Sequence, residues 1–288
     1  MAYALPRRLA IATVILASVA AAARAQDASA WDAQPHTAAR FIAGATLKSA
    51  NTDRLRAGIE IRLAPGWHTY WRYPGDSGVP PTFDFAGSAN VKSVRVLWPA
   101  PERFADGAGG HSIGYIGDVV LPLRIAPRDA AKPASLKVRL GYAICSNVCI
   151  PVKADLSFAL SGKGGAEEPA LVAAEARVPR RVALGAATDT GLAILRVHRE
   201  AGGTHARVVV DVRAPPKTPV ELLVEGPTPD WALPPPEPTT SQTGSTPGTR
   251  RFAFALDGLP PGAHAAGAKL TFTAVSPNDA IEVVARLD

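Results

Sequence analysis

Residues 136–160 read LKVRLGYAICSNVCIPVKADLSFAL, and the alternation on either side of the two cysteines decides the fold. Leu136, Val138, Leu140 and Tyr142 occupy every second position ahead of Cys145; Leu156, Phe158 and Leu160 do the same beyond Cys149. A period of two places such side chains on one face, the pattern of a half-buried strand. Four positions apart on a continuous strand, the cysteine α-carbons would stand about 13 Å apart. A disulfide spans roughly 4.4–6.8 Å, so a bonded pair requires a turn between them. Ser146-Asn147-Val148 suits a three-residue hairpin loop with Asn147 at positive φ. That loop would join strands Leu136–Ile144 and Ile150–Leu160, with Cys145 and Cys149 facing each other at its end.

The same alternation recurs outward. Ala57, Ile59, Ile61 and Leu63 follow it, as do Val119, Leu121, Leu123 and Ile125. Turn clusters at residues 74–78 (PGDSG) and 126–129 (APRD) separate the strands. Short alternating strands with Gly/Pro punctuation and no long helix predict an all-β antiparallel sandwich over residues 26–160. SGKGGAEE at 161–168 is a break in composition, and Pro169 opens a short helix over Ala170–Val178. Residues 161–182 therefore read as linker and helix, with Glu167-Glu168 solvated. Further alternation at Ala206–Val212, Phe252–Leu256 and Ala268–Ala274 predicts a second, smaller β-sandwich over 183–288. Within it, Pro227–Gly248, dense in Pro, Thr, Ser and Gly, reads as a long mobile excursion.

The ends set the compartment. Arg7 and Arg8 precede an apolar run from Leu9 to Ala23, and Ala23-Arg24-Ala25 supplies a small-x-small cleavage pattern. Residues 1–25 have the layout of a secretory signal peptide, with an apolar run too short for a comfortable span of about 20 residues. The expectation is a periplasmic protein with no membrane span in its mature chain. The formal net charge of +6 includes three arginines of that leader. No segment combines clustered Lys/Arg with aromatics, so nucleic acid is not expected as a partner. No nucleophile elbow, zinc-binding helix or phosphate-binding glycine loop is present.

The two cysteines are the remaining chemistry. Exported proteins meet oxidising conditions, and a bond closing so small a loop constrains the unfolded chain little. Such a bond suits exchange better than stapling. Three motifs occur in order: Trp67 to Pro81 (WHTYWRYPGDSGVPP), Tyr115 to Arg124 (YIGDVVLPLR), and Cys145-x-x-x-Cys149-x-Pro151. Together they resemble the N-terminal periplasmic domain of the DsbD protein-disulfide reductases, closest to the branch related to the ScsB copper-tolerance proteins. The resemblance covers about residues 35–160 firmly and the second β region more loosely. It implies an immunoglobulin-like sandwich whose cysteine pair accepts electrons from a thioredoxin-like domain and reduces periplasmic oxidoreductases, beneath a flexible cap. Two departures stand out: the DsbD domain itself has a wider cysteine spacing, and the multi-span membrane domain and terminal thioredoxin-like domain that family members usually carry are not expected in this chain, so its electrons would come from a separate donor.

Carried onto this chain, Cys145 and Cys149 are the catalytic pair, with Cys149 attacking. Residues 102–112 (ERFADGAGGHS) would form the cap, whose Gly107, Gly109 and Gly110 suit a mobile lid. Phe104 would cover the sulfurs, and Asp106 and His111 would assist proton transfer; Tyr115 and Tyr142 would wall the site. Tyr70, Trp71, Arg72 and Tyr73 form a dense aromatic patch beside arginine, suited to partner docking, although alternation sends at least two of them into the core. Partners would be thioredoxin-like periplasmic oxidoreductases and a separate membrane electron donor, with no cofactor and no metal set. Two alternatives stay open: a Cu(I)-binding copper-tolerance protein, weakened because the only methionine is Met1, and a non-catalytic β-sandwich adaptor with a structural disulfide.

Overall fold

The computed structural model describes residues 27–48, 54–75, 77–106, 109–200, 206–239 and 248–288. The expected leader at 1–25 and Gly107 of the expected cap lie outside them. Eleven strands build the first sandwich: β1 (Asp32–Gln34), β2 (Thr37–Leu47), β3 (Arg54–Leu63), β4 (His68–Gly75), β5 (Thr82–Asp84), β6 (Val91–Val96), β7 (Glu102–Ala105), β8 (His111–Ile116), β9 (Val119–Pro127), β10 (Ala134–Cys145) and β11 (Cys149–Leu160). One sheet runs β1-β2-β3-β9-β6; the other runs β11-β10-β4-β8-β7, with β5 also on β10. Every pairing in both is antiparallel. The alternating residues meet between the sheets, Phe41, Ile59, Leu121 and Leu123 from one against Trp71, Leu136, Leu140 and Ile144 from the other, all at most 1% exposed.

β10 and β11 pair without interruption from Ala134↔Leu160 to Cys145↔Cys149, which is the hairpin that the alternation predicts. Asn147 does not take positive φ: the described non-glycine residues that do are His36, Asn90 and Lys217. The bonded cysteines and a hydrogen bond from Ser146 N–H to Val148 O (3.1 Å) close the loop without a left-handed residue.

The stretch after β11 packs against the first sandwich. Helix α1 (Glu168–Ala176), with proline in its first turn, lies on the outer face of the β2-β3-β9 sheet. Leu171 is fully buried there. A Cβ on Gly44 would stand 2.5 Å from its Cδ2, and one on Gly58 would stand 3.1 Å from its Cδ1, so two bare backbone positions admit the leucine. Glu167 and Glu168, expected to be solvated, are ion-paired instead. Arg40 donates to Glu167 at 2.6 Å, and Arg56 reaches both Glu168 (2.5 Å) and Glu175 (2.7 Å). Arg56, 5% exposed, and the largely buried Arg40 need these partners.

The second sandwich contains β12 (Arg180–Arg181), β13 (Ala193–Glu200), β14 (Arg207–Arg213), β15 (Glu221–Glu225), β16 (Glu237–Thr239), β17 (Thr249–Ala255), β18 (Lys269–Ser276) and β19 (Asp279–Arg286). Its sheets run β12-β19-β18-β15 and β13-β14-β17-β16 around a core of its own. The described part of the excursion expected at Pro227–Gly248 is packed rather than mobile: Trp231 and Leu233 are each 5% exposed, and Glu237–Thr239 pairs with β17. Apolar anchors override the loop-like composition; residues 240–247 lie outside the description.

Leu171→Ala is expected to lower stability by about 2–4 kcal/mol in urea unfolding, the usual cost of emptying a buried leucine site. Burial pushes the Glu175 carboxyl up, but hydrogen bonds from Arg56 and Arg124 outweigh it and hold it below the ordinary value. A depressed carboxylate stabilises above its unfolded pKa of about 4.3 and loses that contribution as pH falls through the folded value. The difference in urea midpoint between wild type and Glu175→Gln should therefore be full near about pH 6 and shrink below about pH 4.

Candidate functional site

The sulfurs lie on the outer face of the sheet, away from the core. Cys145 ends β10 and Cys149 begins β11; their Cα atoms are 4.2 Å apart and their sulfurs are bonded. Cys145 is 1% exposed, whereas Cys149 is exposed beside Val148, itself 61% exposed. The two halves of the pair thus have opposite access to solvent.

Register explains which residues join them. His68 of β4 stands opposite Cys145. Across β4, His68 opposes Ile116 and Tyr70 opposes Gly114 of β8; Ser112 of β8 opposes Phe104 of β7. Alternation therefore puts Ala143, Cys145, His68, Tyr70, Ser112 and Phe104 on the sulfur face. The intervening Trp71, Ile113, Tyr115, Tyr142 and Ile144 turn into the core.

Tyr70 is the central side chain. Its hydroxyl donates to Cys145 Sγ at 2.8 Å and lies 3.5 Å from Cys149 Sγ, while its ring packs with Ala143 and Cys145. Gly78, at φ +136°, lies so close to that ring that a Cβ there would stand 2.5 Å from two ring carbons. Burial pushes the phenol up, a hydrogen bond with Ser112 offsets part of this, and nearby Asp106 adds to the rise. The group accordingly stays protonated at neutral pH and remains a donor. His68 is held below the ordinary imidazole value by burial, so it is neutral at pH 7. Stabilisation of a thiolate at Cys145 then falls to the Tyr70 O–H, because hydrogen bonding to the charged form favours it.

The expected cap residues divide. Phe104 sets its ring edge-on against His68 with centroids 4.5 Å apart, covering the neighbour of Cys145. Asp106 is a pin for the loop: it accepts from Ser77 Oγ (2.8 Å) and from Gly110 N–H (2.9 Å). Ser112 Oγ in turn donates to Ser77 O at 3.0 Å. His111 is on the opposite face of β8 from Ser112 and acts on Glu221 of the second sandwich. Tyr115 and Tyr142, expected as site walls, use their hydroxyls inside the first core, Tyr115 on Pro99 O and Tyr142 with Thr37 Oγ1, each at 2.9 Å. Of the aromatic patch, Tyr70 meets the sulfurs, Trp71 is fully buried, and Arg72 and Tyr73 grip the second sandwich.

Sequence reading missed His68 and Ser77, and held Ser112 only as the last residue of the cap. The spacing of His68 and Tyr70, two apart within WHTYWRY, is the signal for the first of these. Nothing local marks the serines, which reach the site only through β4–β8 pairing. Among the described residues no group of three or more His, Cys, Asp or Glu is placed to hold a metal ion. No helix among them is long and apolar enough to cross a membrane.

Residues 38–161 match the family described as thiol:disulfide interchange protein DsbD, N-terminal, the span that carries the three motifs and the cysteine pair. The chain is also similar in fold to the crystal structure of the N-terminal periplasmic domain of ScsB from Proteus mirabilis, with a TM-score of 0.68 at 23% identity. That likeness covers 91% of this chain and 98% of that one, so it extends through the second sandwich. A structure titled BspA_C_WT aligns at 10% identity over 84% of this chain and 98% of its own, with a TM-score of 0.14, and carries no weight. No curated protein matches the chain.

Tyr70→Phe removes one hydrogen bond to a sulfur that becomes charged on reduction. In the reduced protein the Cys145 thiol is expected to become about tenfold weaker as an acid, measured by the pH dependence of iodoacetamide alkylation. An unchanged profile would exclude Tyr70 from stabilising the thiolate.

Proposed function

We propose that this chain, whose residues 38–161 match the DsbD N-terminal family, is a periplasmic thiol–disulfide exchange module that passes electron pairs through Cys145 and Cys149. The observation that carries the reading is the asymmetry of the pair. Exchange proceeds by thiolate attack on one sulfur, and access and leaving-group acidity decide which. Cys149 is the open sulfur; Cys145 is buried under the Tyr70 hydroxyl.

On loading, a donor thiolate attacks Cys149 Sγ. The Cys145–Cys149 bond breaks, and Cys145 leaves as a thiolate that accepts the Tyr70 hydrogen bond. The donor's second thiolate then attacks the mixed disulfide, leaving Cys149 reduced and the donor oxidised by two electrons. On delivery, the Cys149 thiolate attacks the disulfide of an acceptor and releases one acceptor thiolate. Cys145 attacks Cys149 Sγ, which frees the reduced acceptor and restores the bond. Throughout, Cys149 meets partners and Cys145 resolves. Phe104 and the Asp106 pin keep the His68 side of the pair covered between encounters.

Partners of this chemistry are thioredoxin-like periplasmic oxidoreductases, with a membrane electron donor supplying the pair. The similarity to the periplasmic domain of ScsB supports the same compartment here.

Cys145→Ala is expected to trap a thioredoxin-like oxidoreductase as a mixed disulfide on Cys149, visible as a dithiothreitol-sensitive adduct on non-reducing gels. Cys149→Ala should trap little. The reduction potential of the wild-type pair should lie above about −300 mV; a lower value marks a structural bond and sinks the exchange reading. Tight stoichiometric Cu(I) binding by the reduced protein, without adduct formation, would turn the assignment toward copper.

A further inference from the structure

Strand β15, ELLVE at 221–225, serves both cores at once. Leu222 and Val224 point into the second sandwich, while Leu223, 1% exposed, belongs to the core cluster of the first. Glu221 and Glu225 share the face of Leu223, and each binds an arginine of the first sandwich. Arg103 of β7 reaches Glu221 at 2.9 Å and also Glu237 of β16 at 2.5 Å. Arg72 of β4 forks onto Glu225 at 2.8 and 2.6 Å and adds Glu282 of β19 at 2.7 Å. Tyr73 completes the seam: its hydroxyl donates to Trp231 O and accepts from Leu233 N–H.

These contacts fall where the first sandwich holds β4 least. The β4–β8 register runs from His68 to Tyr70 and then breaks, resuming only at Gly75↔Ser112. Tyr70 therefore sits at the last regular pair before a gap in the ladder. Within that gap, Arg72 and Tyr73 are fixed by the second sandwich. Their anchors are a bidentate carboxylate pair and two main-chain groups, which are directional and leave little freedom to the segment following Tyr70.

We propose that the second sandwich is a positioning element for the redox centre: by holding Arg72 and Tyr73 it sets where the Tyr70 hydroxyl lies against Cys145. Tyr73 and Glu225 are positioning residues, acting through Tyr70, and this rests on the reading that the pair undergoes exchange. The arrangement gives the second sandwich a task without any chemistry of its own, and it ties the geometry of the sulfurs to the integrity of the seam between the domains.

The full chain tests this with Tyr73→Phe, which loses one hydroxyl and keeps the ring, and with Glu225→Gln. Tyr70→Phe serves as the reference. The readouts are the rate at which dithiothreitol reduces the Cys145–Cys149 bond at pH 7 and the pH profile of iodoacetamide alkylation of the reduced pair. Both substitutions are expected to slow reduction about threefold and to shift the alkylation profile in the direction of Tyr70→Phe. In a Tyr70→Phe background they should add almost nothing, the signature of residues acting through one group. Full additivity, or a lowered melting temperature with wild-type rate and profile, would overturn the proposal. If Glu225→Gln does not fold, Tyr73→Phe decides by the same readouts. Because these use small molecules, a wild type that fails to exchange with any thioredoxin-like protein yet keeps the non-additivity would sink the exchange reading and leave the positioning role standing.

Discussion

Everything at the redox face depends on the two-residue period of β4, β8 and β10. One set of alternate residues, Trp71, Ile113, Tyr115, Tyr142 and Ile144, is drawn into the core by burial of apolar surface. The other set, His68, Tyr70, Ser112, Ala143 and Cys145, is thereby forced onto the opposite face and into mutual contact. A slip of one residue would exchange the two sets. The core thus enforces the site: the same packing that hides Trp71 presents Tyr70 to the sulfur.

The division of exposure within the cysteine pair follows from the hairpin. Cys145 ends a central strand and is covered on its flank by β4, whereas Cys149 starts the edge strand β11. A bond joining a buried sulfur to an exposed one has a defined side for attack and a defined leaving group. The nearest groups to that leaving sulfur are a protonated phenol over Cys145 and a neutral imidazole beside it, with the Asp106 carboxylate acting on the phenol. A neutral donor stabilises a thiolate less than a cation does, so a thiolate at Cys145 keeps more of its nucleophilicity.

The seam between the sandwiches is built like a small interface, with an apolar centre at Leu223 and arginine–carboxylate pairs at its ends. Partly buried ion pairs of this kind add little net stability, since desolvation offsets much of the attraction. Helix α1 makes a comparable contact on the far sheet, where Gly44 and Gly58 clear space for Leu171 and paired arginines meet its acids.

The all-β class, the hairpin carrying the cysteines, the short helix and the resemblance through three ordered motifs were legible in the sequence, because alternation and turn chemistry are local and a motif is contiguous. The pair itself, Cys145 and Cys149, is readable for the same reason. What surrounds it is not. Tyr70 reads as patch, core or docking residue until pairing with β8 and β10 places it over a sulfur; Tyr115 and Tyr142 read as site walls until alternation is anchored to the core; ELLVE reads as an ordinary strand until two domains claim its two faces. Periodicity states that neighbours point to opposite sides, but which side faces core, sulfur or second sandwich depends on partners far away in the chain, and only tertiary packing supplies them.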